Sequence, residues 1–339
     1  MHSLKSRAII AVACTLLGSA RLSAQASYDS PKGRVEVLGL ERWTLKMLQD
    51  SVSHYVPGQQ LHDAACMATL RYKLNFRDAY VSRFLGFSGK DSEFLSIRLV
   101  EPGRESAQWR ALPQDEFHSM MPDYAPLLIA ATDSTGGIWP GRLLFGMQFS
   151  DSAVRAQQIA RAGVTARADD DRVRAFLAGR RSESDHRRAV QVLDSNSVFG
   201  NRIAAALVLS NFPERDDTWH ALVRALRDPH ETVRGAASAA LRQMPRRPVN
   251  WAPAGGDLRA LLGGIGLGDM EMVMSMLATT QVSPALSATL VGKNDAWIMR
   301  LLTAEAPTAP RSARALLVAL NNGTDLGTAA AWKTWMAGL

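Results

Sequence analysis

A chain of 339 residues, 47% of them apolar, is long enough for two domains and has the composition of a globular protein. Its formal net charge of +7 comes mostly from arginine, since only seven of the 39 basic residues are lysine, and it forms no basic run of the kind that tracks a nucleic-acid backbone. Two cysteines, Cys14 and Cys66, exclude a disulfide framework.

The first 26 residues have the layout of an export signal. Lys5 and Arg7 make a basic start, Ala8 to Leu17 an apolar core, and Ala24-Gln25-Ala26 a small-x-small site, so cleavage is expected after Ala26 and the mature chain is expected to be periplasmic or secreted. The apolar run is shorter than the roughly 20 residues a membrane helix needs, and no stable span is expected after cleavage. A lipid anchor at Cys14 is disfavoured, because Ala11 stands where a lipobox has leucine. Loss of Lys5, Arg7 and Arg21 lowers the charge from +7 to +4 and leaves Cys66 as the one thiol. An exported chain of that charge is not expected to have a nucleic-acid partner.

Residues 27–34, polar with Pro31 and Gly33, read as a loose lead-in. Helices are predicted over Leu40 to Val52 and Gln60 to Leu74. The period then changes: Ala79 to Phe84 and Phe94 to Val100 are short β-branched and aromatic runs that read as a hairpin, with a third strand over Ala107 to Leu112. Residues 35–150 are therefore expected to form a small α+β module. Its end, 113–150, is broken by Pro113, Pro122, Pro126 and Pro140, allows one helix over Tyr124 to Thr132, and closes on the irregular Gly136-Gly137-Ile138-Trp139-Pro140-Gly141.

From Asp151 the chain turns to short amphipathic helices rich in Ala and Arg, predicted over Asp151 to Ala162, Asp169 to Leu177 and Asp185 to Leu193. The clearest unit follows. Trp219, Leu222, Val223 and Leu226 fall on one helical face; Val233, Ala236, Ala237, Ala240, Leu241 and Met244 fall on another; Pro245 stops the second helix. Between them Asp228-Pro229-His230-Glu231 reads as a helix start, with Asp228 as cap and Glu231 reaching back. Thirty-two residues earlier the second helix recurs as Asn201, Ala204, Ala205, Val208, Leu209 and Phe212 before Pro213, and Ala189, Val190 and Leu193 repeat the first. A period near 32 with two helices per period is an α-solenoid signature. After Gly255-Gly256, further helices are predicted over Asp257 to Leu262, Met270 to Leu277, Pro284 to Val291, Asp295 to Leu302, Ser312 to Leu320 and Thr328 to Met336.

The Leu, Asp-Pro, Val-Arg, Ala-Ala and Ala-Leu spacing of residues 222–241 resembles a HEAT repeat of the short phycobilisome-lyase type. The resemblance is strong over 219–244, looser over 186–212, and reaches Arg314 to Leu320 only in flavour. It implies a mainly α fold, a C-terminal solenoid over 151–339, and a scaffold rather than a reaction. It also implies that the turn aspartate and the arginine of the second helix stack between neighbouring repeats.

Candidate chemistry is sparse. His62 and Cys66, four apart on a predicted helix, have the spacing of a thiolate–imidazole pair, but the alanines around them are those of a core position. Asp169-Asp170-Asp171 lacks the ligand spacing and glycine of a calcium loop. The seven histidines show no metal-binding spacing, and Gly263-Gly264-Ile265-Gly266-Leu267-Gly268 lacks the strand and lysine of a phosphate loop. Arg202 and Arg234, recurring at the repeat period, are expected to be structural. No catalytic residue, cofactor or metal is expected. The leading expectation is a non-catalytic scaffold of the cell envelope binding protein partners. The alternatives are an enzyme with its site in the N-terminal module, and an assembly unit whose contact patch is the Trp297, Met299, Trp332, Trp335 and Met336 end.

Overall fold

A computed structural model describes residues 24–31, 33–85, 93–112, 175–264, 267–303 and 308–339. Most of the expected signal, the proline-rich stretch 113–150 with its helix, the expected module boundary at 150, the helix from Asp151 and the Asp169-Asp170-Asp171 run lie outside the described residues. The chain is mainly helical with a small mixed sheet at its N-terminal end, and it divides into two compact units, Met1–Pro102 and Gly103–Leu339.

In the first unit β1 (Ala24–Ser30) and β2 (Gly33–Leu40) pair antiparallel, and the helices α1 (Leu45–Tyr55) and α2 (Ala64–Tyr72) lead to β3 (Asp78–Leu85) and β4 (Glu93–Val100). β3 and β4 form the expected hairpin, with Tyr80 opposite Arg98. β4 runs parallel to β2, giving the order β1-β2-β4-β3. The loose lead-in expected at 27–34 is instead a pair of strands. Its Pro31 lies in the turn joining them, Gly33 opens β2 opposite Ser30 with a φ of 137°, and Ser30 Oγ donates to the Gly33 carbonyl. Cleavage after Ala26 would leave Ser27 to Ser30 paired with Glu36 to Gly33.

Alternation places Val35 and Val37 of β2 and Leu95, Ile97 and Leu99 of β4 in one core with Leu48 and Val52 of α1 and Cys66 and Leu70 of α2. Thr44 caps α1 by accepting from Met47 N–H, which starts that helix five residues later than periodicity suggested. Glu101, fully buried, ties the end of β4 to the start of the helical pair. Its carboxylate accepts the backbone N–H groups of Glu41, Arg42 and Trp43 at 2.7 to 3.1 Å.

The second unit begins with a short helix, α3 (Glu105–Gln108), where a third strand was expected. The single aromatic Trp109 in an Ala- and Gln-bearing stretch is a weak strand signal, and the segment pairs with no strand among the described residues. Then come α4 (Glu183–Ser195), α5 (Phe199–Leu209), α6 (Asp216–Ala225) and α7 (Glu231–Gln243). Every apolar position that defined the two sequence copies is buried except Val190, which is half-buried, and Leu209 and Leu241 are completely so. The first helices α4 and α6 pack on each other, as do the second helices α5 and α7. The small Ala204-Ala205 and Ala236-Ala237 pairs lie buried on those second helices.

After Pro245 the helices are α8 (Gly255–Leu262), α9 (Leu267–Thr279), α10 (Ser287–Leu290), α11 (Asp295–Leu302), α12 (Ala309–Leu320) and α13 (Ala329–Ala337), matching the predicted series. α8 packs on α6, whereas α9 packs chiefly on α12. Gly263 ends α8 where a Cβ would come within 2.6 Å of the Asn294 Oδ1 atom, whose amide is held by the Arg259 and Leu290 carbonyls. Close approach, and not phosphate binding, explains that glycine.

Candidate functional site

The turns between first and second helices in the second unit carry an ionic chain. Asp194 follows Leu193 near the end of α4, Asp228 sits in the α6–α7 turn, and Asp257 lies in the first turn of α8. Arg202 of α5 reaches forward to Asp228 with both Nε and Nη2 at 2.9 Å, a bidentate pair between neighbouring hairpins. Arg224 of α6 joins Asp194 (2.6 Å) to Asp257 (3.8 Å), and Arg227 adds a second contact to Asp257 at 3.0 Å.

The arginines also mark the repeat. Arg202 Nη1 donates to the carbonyls of Asn196 and Ser197, and Arg234 Nη1 to those of Asp228 and Pro229, so each braces the turn five and six residues behind it. The structural role expected for both is what these bonds describe, and Arg202 is the one seen stacking on the next turn's aspartate.

Asp228 is not the helix cap the sequence suggested. That position belongs to His230, whose Nδ1 accepts from Thr232 N–H, while Asp228 lies fully buried behind it and accepts His230 N–H at 2.9 Å. Burial raises the Asp228 carboxyl, and the guanidinium groups of Arg202 and Arg110 more than reverse this, leaving it below the usual carboxylate range. Two arginines held the aspartate away from the capping role that local spacing favoured.

One of them, Arg110, comes from outside the repeats. The segment after α3 runs across the turns: Arg110 N–H donates to the Arg227 carbonyl, and its guanidinium to the Leu193 carbonyl (2.5 Å), Asp194 (3.2 Å) and Asp228 (2.9 Å). The Arg234 guanidinium lies 5.6 Å from the Trp109 ring centroid, and α3 packs on α8. No sequence signal singled out Arg110, since a lone arginine in a polar stretch has no period to betray it.

At the opposite ends of the same helices a second set of contacts recurs at nearly the repeat spacing. Glu183 pairs with Arg215, Asp216 with Arg247 (2.6 Å), and His186 Nε2 meets Thr218 Oγ1 at 3.0 Å. Trp219 and Trp251 pack edge to face at 6.0 Å.

In the first unit, α2 and β3 flank a cleft of about 410 Å³ lined by His62, Ala64, Met67, Ala68, Arg71, Tyr72, Ala79, Tyr80 and Val81. Helix α2 starts at Ala64, which leaves His62 in the preceding turn and removes the helical i, i+4 relation to Cys66. His62 Nδ1 faces the Tyr28 hydroxyl at 3.4 Å, and Cys66 is fully buried. Burial, reinforced by the Asp63 charge, pushes the Cys66 thiol up, against the thiolate that nucleophilic chemistry needs. Among the described residues no cluster of three or more His, Cys, Asp or Glu is arranged to hold a metal ion, and no helix is long and apolar enough to cross a membrane. The tryptophan- and methionine-rich end does not form an exposed patch: Trp332 and Met336 are buried, and Trp297, Met299 and Trp335 half-buried.

No protein-family model, curated protein or solved structure matches this chain.

Proposed function

We propose that this chain is a non-catalytic, exported scaffold of the cell envelope whose second unit is a HEAT-like α-solenoid that binds protein partners. The observation that carries the reading is the recurrence of side-chain contacts between residues some thirty apart, among them Asp194 with Arg224, His186 with Thr218, and Asp216 with Arg247. Such recurrence is what stacking of successive hairpins requires, and a stack of this kind presents a long continuous surface to partners. The carboxylates of the ionic chain are each engaged by guanidinium groups, an arrangement suited to holding shape.

The test is site-specific photocrosslinking in the envelope, with the probe at Phe199, the exposed residue of α5, at exposed positions of α7 and, separately, of α1. A discrete adduct from the repeat positions, absent from α1, is the expected result. Adducts from neither, together with a hydrolytic or transfer activity lost on substituting residues that line the α2–β3 cleft, would replace the scaffold by the enzyme alternative.

A further inference from the structure

We infer that the turn ridge of the repeats is a binding site for an arginine-bearing segment, and that residues 105–112, the short helix α3 and the residues that follow it, occupy it in cis. The inference rests on the scaffold reading and names the face and the partner chemistry. Three turns, near 194, 228 and 264, contribute to the seat. The Arg110 guanidinium enters between Asp194 and Asp228 and under the Leu193 carbonyl, its backbone N–H meets Arg227, and Gln108 lies against Gly264.

The seat is complete without its occupant. Asp228 keeps the bidentate Arg202 and the His230 N–H, and Asp194 keeps Arg224, so departure of Arg110 strands no buried carboxylate. The strap is held by one deep anchor: the Arg110 side chain is 8% exposed, whereas Gln108, Trp109 and Leu112 are only half-buried and Ala111 is exposed. The anchor also fits imperfectly, for Arg110 Nε is buried without an acceptor among the described residues. An arginine from a partner that brings an acceptor for that N–H has an advantage over the resident one. The partner that fits is a peptide with an aromatic residue before an arginine, the aromatic lying against Arg234.

The probe is a fluorescent peptide with the sequence of residues 104–112, titrated by anisotropy against the full chain, its Arg110→Ala variant and its Trp109→Ala variant. If the strap is docked nine-tenths of the time, the wild-type chain binds the peptide about tenfold more weakly than Arg110→Ala, and Trp109→Ala falls between. A peptide with alanine in place of its second arginine should lose binding to all three. Equal affinity for the three proteins, or no binding by a folded Arg110→Ala chain, overturns the proposal. Should Arg110→Ala fail to fold by circular dichroism, Trp109→Ala decides alone: binding tighter than wild type supports the cis occupant, and binding no tighter overturns it. Loss of this result with the repeat crosslinks intact refutes the strap and leaves the scaffold, whereas loss of the crosslinks refutes the scaffold itself.

Discussion

Asp228 is fully buried where two guanidinium groups converge. Removing it as Asp228→Ala leaves Arg202, itself buried, without its carboxylate, and loss of one partner of a buried pair costs about 3 to 5 kcal/mol. Loss of a helix cap would cost roughly 0.5 to 2 kcal/mol, so urea denaturation of this variant separates the two roles. His186 supplies a pH dependence. It is buried between Thr218 and the Phe212 ring, with Nδ1 lacking a partner among the described residues, and burial lowers its pKa against the opposing pull of Asp217. The folded state therefore binds this proton less readily than the unfolded chain, so stability is lost as pH falls through and below about 6.5. The same sign applies to His230, whose pKa burial also lowers. The urea midpoint should drop from pH 7 to pH 5, and His186→Gln, which can keep a bond to Thr218, should flatten that drop. A midpoint indifferent to pH in the wild-type chain would refute the assignment.

Helix α7 shows how damage at one element should spread. Leu241 is fully buried, and truncation to alanine costs roughly 2 to 5 kcal/mol. Because α7 packs on α5 and α6, and the proposed stacking would pass strain to these neighbours first, hydrogen exchange in Leu241→Ala should rise across α5, α6 and α7 while β2 and β4 keep their protection. Exchange rising as fast in those strands would count against a separable helical unit. The helices after Pro245 were legible one by one from their apolar spacing, but their partners were not. That α9 packs chiefly on α12 is decided by which faces meet in space, and neither the Met-rich stripe of α9 nor the Leu- and Ala-rich stripe of α12 names its partner.

At the scale of the whole chain, the two units differ in what holds them. The first is a sheet with helices on a mixed apolar core, closed by the Glu101 carboxylate; the second is helix on helix, laced by arginine–aspartate contacts. An exported mature chain should yield an N-terminus at Ser27, which keeps four residues of β1 paired with β2. Edman sequencing of the envelope-fraction protein checks this, and recovery of Met1 there would refute maturation at that site.

The sequence by itself determined the local elements and their repetition. Apolar residues at helical spacing, the proline stops and the alternating β3 and β4 runs act within a turn or a strand, so composition and spacing along the chain suffice to specify them. It also placed Arg202 and Arg234 in a recurring structural role, because recurrence survives in one dimension. Only the tertiary structure decided that β1 and β2 pair, that Asp228 is a buried ion-pair centre instead of a cap, and that Arg110 crosses 118 residues of sequence to reach it. Those outcomes depend on charges and strand edges that meet only after folding, and a buried carboxylate goes to the partners that neutralise it, whatever role its immediate neighbours in sequence would favour.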